Sequence, residues 1–402
     1  MKALIVLENH FYIDVNKNVW CDRVVDYNYL NRYLSSFESI IVTGRSQIVN
    51  EEIKDKLLVS GKNVEFVPMP DFKGAKGLIL NLFNIRKIIK IQVKRCDCAI
   101  YRAPTHLSLF TYKEVIKQKK PLAIEFMMAA DKMFEGESIY KKVLNKIIDF
   151  KAKKLCMKAN GVSYVTKYVL QKKYPCKAIK NGSSKFYFTE SYSSIDLDKK
   201  MYFKQNWSIN KKPKIIKIIH TGYMDSYRKG QDVLIKAAKI VLDKGYDIEV
   251  TFIGDGDKKK EFEILTQELG IQNKIFFLGL IKDKTTIIEH LRNSHMLVFP
   301  TQSEGLPRTI IEAMSQNLVC ISSPVDGVPE LLDSDVLLDY SKPELYADKI
   351  IEFIENWEKF IEYSNRNFKK SKEYSSDILK NKRTNFYNKI RKVAENNEDK
   401  NR

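Results

Sequence analysis

The sequence has little of what marks membrane-spanning, disulfide-bonded or zinc-binding proteins. No apolar run in its 402 residues approaches the roughly 18 to 20 residues with which a helix crosses a bilayer. Six cysteines in a chain of this length make no disulfide framework, and Cys96-Asp-Cys98 lacks the spacing of a zinc site. The apolar start of MKALIVLENHFYIDV is too short for a signal peptide. We therefore expect a cytoplasmic protein with reduced cysteines, either free or held peripherally at the inner face of the cell membrane.

Acidic residues are scarce in the first half of the chain. Residues 1–210 carry 37 Lys and Arg against 20 Asp and Glu, whereas residues 211–402 carry 32 against 30. The stretch 141–185 has thirteen basic residues and a single acid, Asp149, and the tail from Arg366 has twelve basic residues against five acids. The basic excess therefore belongs to particular segments and is not spread evenly over the chain.

A helix with one apolar face is predicted inside this basic stretch. In SIYKKVLNKIIDFKAKKLCMKA, the apolar residues Ile139, Val143, Ile147 and Ile148 recur at helical spacing. The rest of the helix surface carries lysines, namely Lys141, Lys142, Lys146, Lys153 and Lys154. Such runs are often only solvated helix faces. The functional alternative is a surface that attracts anionic lipid head groups, where each basic residue contributes about 1 kcal/mol.

The chain shows two sets of strands that alternate with helices. The first set has strands predicted at 2–7, 39–43, 63–68, 98–101, 122–125 and 162–166, and the second at 215–220, 248–253, 275–278, 296–299 and 319–322. The polar, irregular stretch 180–213 separates them. This alternation predicts an α/β protein of two doubly wound, Rossmann-like domains facing a central cleft. We place them at 1–205 and 206–365, followed by a basic C-terminal helix at 366–402 that packs back on the first domain.

The most informative segment runs from Thr301 to Leu332, TQSEGLPRTIIEAMSQNLVCISSPVDGVPELL. A helix is predicted to begin near Pro307 or Arg308, so Glu304 precedes it and Glu312 lies inside it. Free N–H groups at a helix start, next to a glycine that permits close approach, suit a phosphate. Carboxylates suit neutral hydroxyls, which predicts one acid on a transferred sugar and one on a nucleotide ribose.

A cationic side chain is also predicted to face the same ligand. The second half of the chain has no short D-x-D or other acidic cluster with metal-ligand spacing, so we expect no metal ion. A departing diphosphate would then be stabilised by fixed cations and N–H dipoles. Lys229 at a helix start is the best candidate, since the helix dipole disfavours a lysine there, and Gly222 ends a neighbouring strand.

The order of these motifs resembles that of glycosyltransferase family 4. Glu304 and Glu312 match the E-x7-E motif of that family, and the resemblance extends from about residue 214 to residue 360 through HTGYMDSYRKGQDVLIKAAKIV, VTFIGDGDKKKEFEILTQELG and VDGVPELL. It implies the GT-B fold and a retaining transfer from a nucleotide-diphosphate sugar, with a UDP-sugar favoured and no metal or other cofactor. It also implies a glycan or lipid-diphosphate-linked acceptor in bacterial surface polysaccharide biosynthesis.

The resemblance also implies a role for each matching residue. Glu304 would contact the transferred sugar and Glu312 the ribose, the N–H groups of Gly305 and Leu306 would lie near the diphosphate, and Lys229 would bind it. The second domain would thus bind the nucleotide sugar, with Gly222 on the donor side and Glu304 and Lys229 as the catalytic pair. The first domain would bind the acceptor.

The match is weaker in two places. The family often has an arginine where this chain has Tyr223, so Arg228 is a candidate for the second cation. The first half lacks the family's glycine-rich loop and the histidine after the strand at 122–125. The candidates that remain for the acceptor side are His106, Glu125 and Asp131.

Two other functions are compatible with parts of the sequence. Another GT-B enzyme, such as a sugar-nucleotide epimerase, would share the second-half motifs but gives no reason for the basic first half. A basic nucleic-acid-binding protein would interleave aromatic residues with its lysines, as Tyr164, Tyr168 and Tyr174 do to a small extent. That function does not account for the second-half motifs, and we expect no nucleic acid partner.

Overall fold

A computed structural model describes residues 1–22, 24–72, 74–131, 133–134 and 138–399. The chain divides into two compact units. The first contains Met1–Tyr192 together with the chain from Lys380 onward, and the second contains Ser193–Leu379. Within the described ranges, no helix is both long and apolar enough to cross a membrane.

Both units consist of strands alternating with helices. The strands of the first unit are β1 (Lys2–Ile13), β2 (Val19–Cys21), β3 (Ser39–Ile48), β4 (Leu57–Leu58), β5 (Val64–Met69), β6 (Cys98–Ala103), β7 (Leu122–Phe126), β8 (Gly161–Tyr164) and β9 (Phe188–Ser191). Those of the second are β10 (Ile216–Thr221), β11 (Ile248–Ile253), β12 (Ile275–Phe277), β13 (Met296–Phe299) and β14 (Val319–Ser322). The first unit has helices α1 (Tyr27–Leu34), α2 (Gly74–Lys94), α3 (His106–Lys117), α4 (Ile139–Lys158), α5 (Val169–Lys173) and α6 (Lys177–Asn181). The remaining helices are α7 (Gln231–Asp243), α8 (Lys259–Glu268), α9 (Lys284–Arg292), α10 (Arg308–Ser315), α11 (Pro343–Glu355), α12 (Trp357–Ser371) and α13 (Ser376–Asp399).

The sheet of the first unit is parallel except where β2 and β4 adjoin the carboxyl end of β1. Its parallel strands lie in the order β5, β3, β1, β6, β7, β8, β9. The strand predicted at 2–7 in fact continues to Ile13. Its last residues pair with the antiparallel strand β2, and they also pair with β3 after a register shift between Val6 and His10. The short strands β2 and β4 carry no alternating pattern long enough to be predicted.

The sheet of the second unit is entirely parallel, in the order β12, β11, β10, β13, β14. Its strand β13 is apolar on both faces, and Leu297, Val298 and Phe299 are all buried, as expected for a strand covered by helices on both sides. The chain leaves β10 in one direction for β11 and β12, and returns on its other side for β13 and β14. The crevice beyond the carboxyl ends of β10 and β13 is thus the topological switch point, where open α/β sheets bind ligands.

Two predicted segments differ from the structure. The stretch 180–213, predicted as a linker, contains β9, which pairs in parallel with β8 and extends the first sheet. The second unit starts at Ser193, and Phe203 N–H donates to the Ser315 carbonyl at 3.0 Å. The single helix predicted at 366–402 is instead the end of α12, a short 3₁₀ turn at Lys372–Tyr374 and α13, with residues 400–402 outside the described part of the chain.

Candidate active site

The two glutamates of the SEGLPRTIIE segment lie where the sequence predicts. Helix α10 begins at Arg308 with Pro307 as its N-cap residue, so Glu304 lies in the preceding loop and Glu312 lies inside the helix. No side chain caps this helix start. Among the described residues, no acceptor takes the amide hydrogens of Gly305 and Leu306. The loop and helix start therefore present unsatisfied N–H groups, which favour an anionic ligand.

Lys229 and Glu304 form an ion pair at the switch point. The Lys229 ammonium contacts Glu304 Oε1 directly, and the two side chains are 30% and 12% exposed. Thr301 Oγ1 donates to the same carboxylate oxygen at 3.1 Å. Lys229 Nζ also lies 5.6 Å from the ring centroid of Phe299, the last residue of β13. Two residues 75 positions apart in sequence are thus joined in one site.

The backbone around Lys229 is fixed by the loop after β13. Gly230 has a left-handed φ of +73°, and a Cβ atom there would lie 2.1 Å from the carbonyl oxygen of Pro300. Gln302 N–H donates to the Arg228 carbonyl at 2.8 Å. These contacts leave little freedom in where the Lys229 side chain starts.

Gly222 and Gly254 bring the loops after β10 and β11 together. Gly222 N–H donates to the Ile253 carbonyl at 2.9 Å. Gly254 has a φ of +144°, and a Cβ atom there would lie 2.0 Å from the Gly222 carbonyl oxygen. Gly222 thus lies in the floor of the site. A Cβ atom added to it would lie 3.5 Å from Cγ of Lys229.

His220 supports the same segment from inside the unit. It is fully buried between the rings of Phe252 and Phe299. Burial lowers the pKa of His220 to about 4, so the ring is neutral and its Nε2–H donates to the Lys229 carbonyl at 2.8 Å. The sequence shows a histidine at the end of a strand but does not reveal that it holds the backbone of the cationic residue.

Asp326 is a site residue that the sequence analysis does not single out. Its Oδ2 accepts the amide hydrogen of Glu304 at 2.8 Å and the Ser303 hydroxyl at 3.3 Å. The next residue, Gly327, donates its N–H to the Gly305 carbonyl at 3.0 Å. The available signal is the Asp-Gly pair in VDGVPELL, since Asp tolerates the positive φ of +45° found there. The turn orients the loop that carries Glu304.

Glu312 occupies a different environment from Glu304. Desolvation raises the pKa of the Glu312 carboxyl, and the positive charges of Arg308 and Lys284 act in the opposite direction. One turn earlier in α10, the hydroxyl of Thr309 contacts the hydroxyl of Thr221 at the end of β10.

The predicted second cation, Arg228, contributes its carbonyl to this site through the hydrogen bond with Gln302. Within the described parts of the chain, no group of three or more His, Cys, Asp or Glu side chains could hold a metal ion.

The chain is similar to several known proteins in sequence and in fold. Residues 201–372 match the family model of glycosyl transferases group 1. The chain is 29% identical over 332 residues to protein CapJ of Staphylococcus aureus, covering 82% of this chain and 78% of that protein. It is 26% identical over 172 residues to N-acetyl-alpha-D-glucosaminyl L-malate synthase of Bacillus anthracis, covering 40% of this chain and 43% of that enzyme. HepE of Anabaena, solved in complex with UDP and glucose, has a TM-score of 0.63 at 15% identity and covers 99% of this chain and 100% of its own.

The protein is a glycosyltransferase of the GT-B type. Its parallel sheets and the likeness to HepE confirm the predicted fold class of two Rossmann-like domains. The match to the family model lies in the second unit, which also contains the Lys229–Glu304 pair.

In the first unit of this glycosyltransferase, His106 is held by a carboxylate. His106 is the first residue of α3, and its Nδ1 lies 2.8 Å from Oε1 of Glu8 in β1. The other oxygen of Glu8 accepts the amide hydrogen of Leu107 at 2.7 Å. Since β1 and β6 are adjacent and the sheet order reverses between them, this pair lies at the switch point of the first sheet. Sequence reasoning singled out His106 but not Glu8.

The other two candidates of the first unit, Asp131 and Glu125, make no contact with His106 or Glu8 among those described. Asp131 follows β7 and forms an ion pair with Lys173 at 2.6 Å. Glu125 is only 4% exposed. Its carboxylate accepts hydrogen bonds from the hydroxyls of Tyr33, Tyr192 and Tyr387, at 2.7, 3.1 and 2.6 Å. Glu125 therefore joins three tyrosines of the first unit, and its role as an acceptor contact stays a prediction.

Proposed function

We propose that this glycosyltransferase moves a hexosyl group from a nucleotide-diphosphate sugar, with UDP as the favoured nucleotide, to a glycan or lipid-linked acceptor of a surface polysaccharide. The observation that carries the proposal is the Lys229–Glu304 pair at the switch point of the second sheet. The unsatisfied N–H groups of Gly305 and Leu306 supply the neighbouring anion site. The solved complex of HepE with UDP and glucose supports the choice of UDP.

In this proposal the ion pair changes partners when the donor binds. Without donor, the ammonium of Lys229 neutralises Glu304. A diphosphate at the start of α10 brings more negative charge than one carboxylate, so it draws the lysine toward its oxygens. Glu304 is then free to accept hydrogen bonds from hydroxyls of the transferred sugar, while its backbone stays fixed by Asp326. Glu312 in α10 accepts from the ribose hydroxyls.

The proposed reaction retains the anomeric configuration and uses no metal ion. The bond between the anomeric carbon and the diphosphate oxygen breaks, and Lys229 together with the N–H groups stabilises the charge that develops on the leaving diphosphate. The acceptor hydroxyl attacks the anomeric carbon from the same face, and its proton passes to the departing phosphate oxygen. This route needs no protein base beside the anomeric carbon.

On the acceptor side, the proposal assigns His106 and Asp131 of the first unit. Glu8 fixes the ring orientation of His106, which suits the ring to hydrogen bonding with an acceptor hydroxyl. Asp131, paired with Lys173, offers a carboxylate for a second hydroxyl.

The test is release of nucleoside diphosphate from UDP-sugars and GDP-sugars by the purified protein in the presence of a chelator. Removing one preorganised electrostatic contact typically costs 100-fold to 1,000-fold in rate, so Lys229→Met and Glu304→Gln are each expected to slow release by about 100-fold. Lys211→Met, an exposed lysine of the same unit, is the matched control and should behave as the parent.

Three outcomes would revise the proposal. If both site variants release nucleotide as fast as the parent, the site assignment is wrong. If the chelator stops release and a divalent metal restores it, metal independence is wrong. If the sugar of the recovered donor has changed configuration and no nucleoside diphosphate is released, the protein is an epimerase.

A further inference from the structure

A groove with an apolar floor and a cationic rim lies on the first unit between α3 and α4. Its volume is about 410 Å³. The floor is formed by Leu109, Phe110, Tyr112, Val143, Ile147 and Phe150. The rim carries Arg86 of α2, Lys113 of α3, and Lys146, Lys151 and Lys154 of α4. No lining residue is acidic.

Large apolar side chains remain exposed on α2 and α4, two of the helices that line this groove. Phe83 and Leu80 of α2 are 78% and 75% exposed, and Ile139 and Phe150 of α4 are 83% and 66% exposed. Residues 80, 83 and 86 are spaced by three along α2, so the apolar side chains and Arg86 share one helix face. Single exposed apolar residues are ordinary, but a group of them beside a cationic groove marks an interaction surface.

The cations at the groove are crowded together. Lys151 Nζ lies 3.6 Å from the ring centroid of Phe110, and Arg86 Nε donates to the Phe110 carbonyl at 3.2 Å. Desolvation and the nearby charges of Lys113 and Arg86 lower the pKa of Lys151. An anion would lower the repulsion between these cations, and hydrocarbon attached to it would cover the apolar floor.

We propose that this surface, which we call the α2–α4 face, docks on an anionic lipid bilayer. It is defined by the apolar residues Ile79, Leu80 and Phe83 of α2 and Ile139, Val143 and Phe150 of α4, together with the cationic rim. The apolar side chains enter the head-group boundary, and the rim cations pair with lipid phosphates. The α2–α4 face thus holds the enzyme at the surface where a lipid-linked acceptor would be found, although docking itself does not depend on the donor chemistry.

The composition of the face favours lipid over nucleic acid. Proteins that bind single-stranded nucleic acid stack bases on aromatic side chains along a basic groove. Here most of the exposed apolar side chains are aliphatic, including Ile79, Leu80, Ile139 and Val143. Aliphatic groups stack poorly on bases but gain free energy by leaving water for a hydrocarbon boundary.

The experiment is co-sedimentation of the full chain with vesicles of phosphatidylcholine alone or with about one-third phosphatidylglycerol, at low and high salt. We expect binding to the anionic vesicles that falls as salt rises. The combined variant Lys146→Glu, Lys151→Glu, Lys154→Glu should weaken this binding by about 100-fold or more, since each basic residue contributes about fivefold. Phe83→Ser with Phe150→Ser should reduce the portion of binding that survives high salt.

The matched control is Lys211→Glu, Lys212→Glu, Lys214→Glu, which makes the same change in net charge at exposed lysines of the second unit. It should bind vesicles as the parent does. The proposal is overturned if this control loses binding equally, or if the parent binds neutral and anionic vesicles alike. It is also overturned if the parent ignores vesicles but binds single-stranded RNA through the same rim lysines. Nucleotide release should be unchanged in every vesicle-binding variant, so failure here is distinct from failure of the donor-site assignment.

Discussion

At the scale of single residues, the backbone of Gly230 decides where the side chain of Lys229 begins. Gly230→Ala would place a methyl group 2.1 Å from the Pro300 carbonyl oxygen in a left-handed conformation. We expect a loss of about 2 to 4 kcal/mol in stability, from backbone strain of about 1 to 2 kcal/mol and displacement of the Pro300 loop. Nucleotide release should fall sharply as well, because Lys229 and Glu304 lie on the two loops that would separate.

The chain offers a matched control for this substitution. Gly245 has a similar φ of +86°, but a Cβ atom there meets nothing within 4 Å. Gly245→Ala should therefore show the strain alone and leave nucleotide release unchanged. Thermal unfolding and donor hydrolysis measure the two effects, and equal losses in both variants would contradict the role given to the Pro300 contact.

The candidate residues that the sequence reveals are those whose side chains are proposed to bind the donor. Glu304, Glu312 and Lys229 are recognisable because a charged residue at a helix start or in a glycine-rich loop has a chemical reason to be there. Asp326 and His220 act on backbone atoms of other loops. Their partners are distant in sequence, so no local pattern predicts the contact.

At the scale of elements, α13 is joined to the first unit through the buried carboxylate of Glu125. Tyr387 of α13 donates to Glu125 at 2.6 Å, and its ring centroid lies 4.9 Å from that of Tyr33. Tyr387→Phe keeps the ring but leaves a buried carboxylate with one donor fewer. We expect a cost of about 1 to 3 kcal/mol and earlier release of α13 from the unit.

Limited proteolysis within α13, read by mass spectrometry, measures this release directly, and thermal unfolding measures the stability. Tyr340→Phe removes a hydroxyl from a tyrosine that is 39% exposed and serves as the control. If the two variants are cleaved at the same rate, Glu125 and its tyrosines do not hold α13 in place.

The elements that the sequence predicts well are long or fully buried. The bounds of β11, β13 and β14 coincide with their predicted ranges, because apolar runs end sharply at turn residues. The strands β2, β4 and β9 have two to four residues each and lie at the sheet margins. Their pairing depends on partners elsewhere in the chain, so it leaves no periodic signal.

At the scale of the whole molecule, the doubling of the alternating pattern predicts two parallel sheets, since parallel strands require crossover helices. The charge asymmetry predicts which half carries a basic surface. Neither pattern predicts the apolar groove within that surface. The helical period of Ile139, Val143, Ile147 and Ile148 shows that α4 has an apolar face, yet only Ile148 is buried in the structure. Whether such a face packs inward or meets a partner depends on how α3 and α4 pack, which is a property of the folded unit.

Two buried histidines of the second unit should make its stability depend on pH in mild acid. His220 and His295 lie in the second unit, and burial lowers the pKa of each to about 4. A histidine with a depressed pKa stabilises the fold fully above its unfolded pKa of about 6.5, and that stability is lost as the pH falls toward 4. Between pH 7 and pH 5, His220 alone should cost the second unit about 2 kcal/mol. His295 acts in the same direction, because its Nδ1 accepts the Lys217 amide hydrogen and cannot do so when protonated.

Hydrogen exchange of the backbone amides in β10 and β13 measures the stability of the second unit at each pH. Glu312 and Asp232, whose pKa values are raised by desolvation, act in the opposite direction over part of this range. The contribution of His220 is therefore isolated by comparing the parent with His220→Asn at both pH values, since any pH-independent cost of the substitution cancels. The parent should lose about 2 kcal/mol more than the variant between pH 7 and pH 5. An equal loss would mean that burial does not lower the pKa of His220. The assignment of a neutral ring that donates to the Lys229 carbonyl would then be wrong.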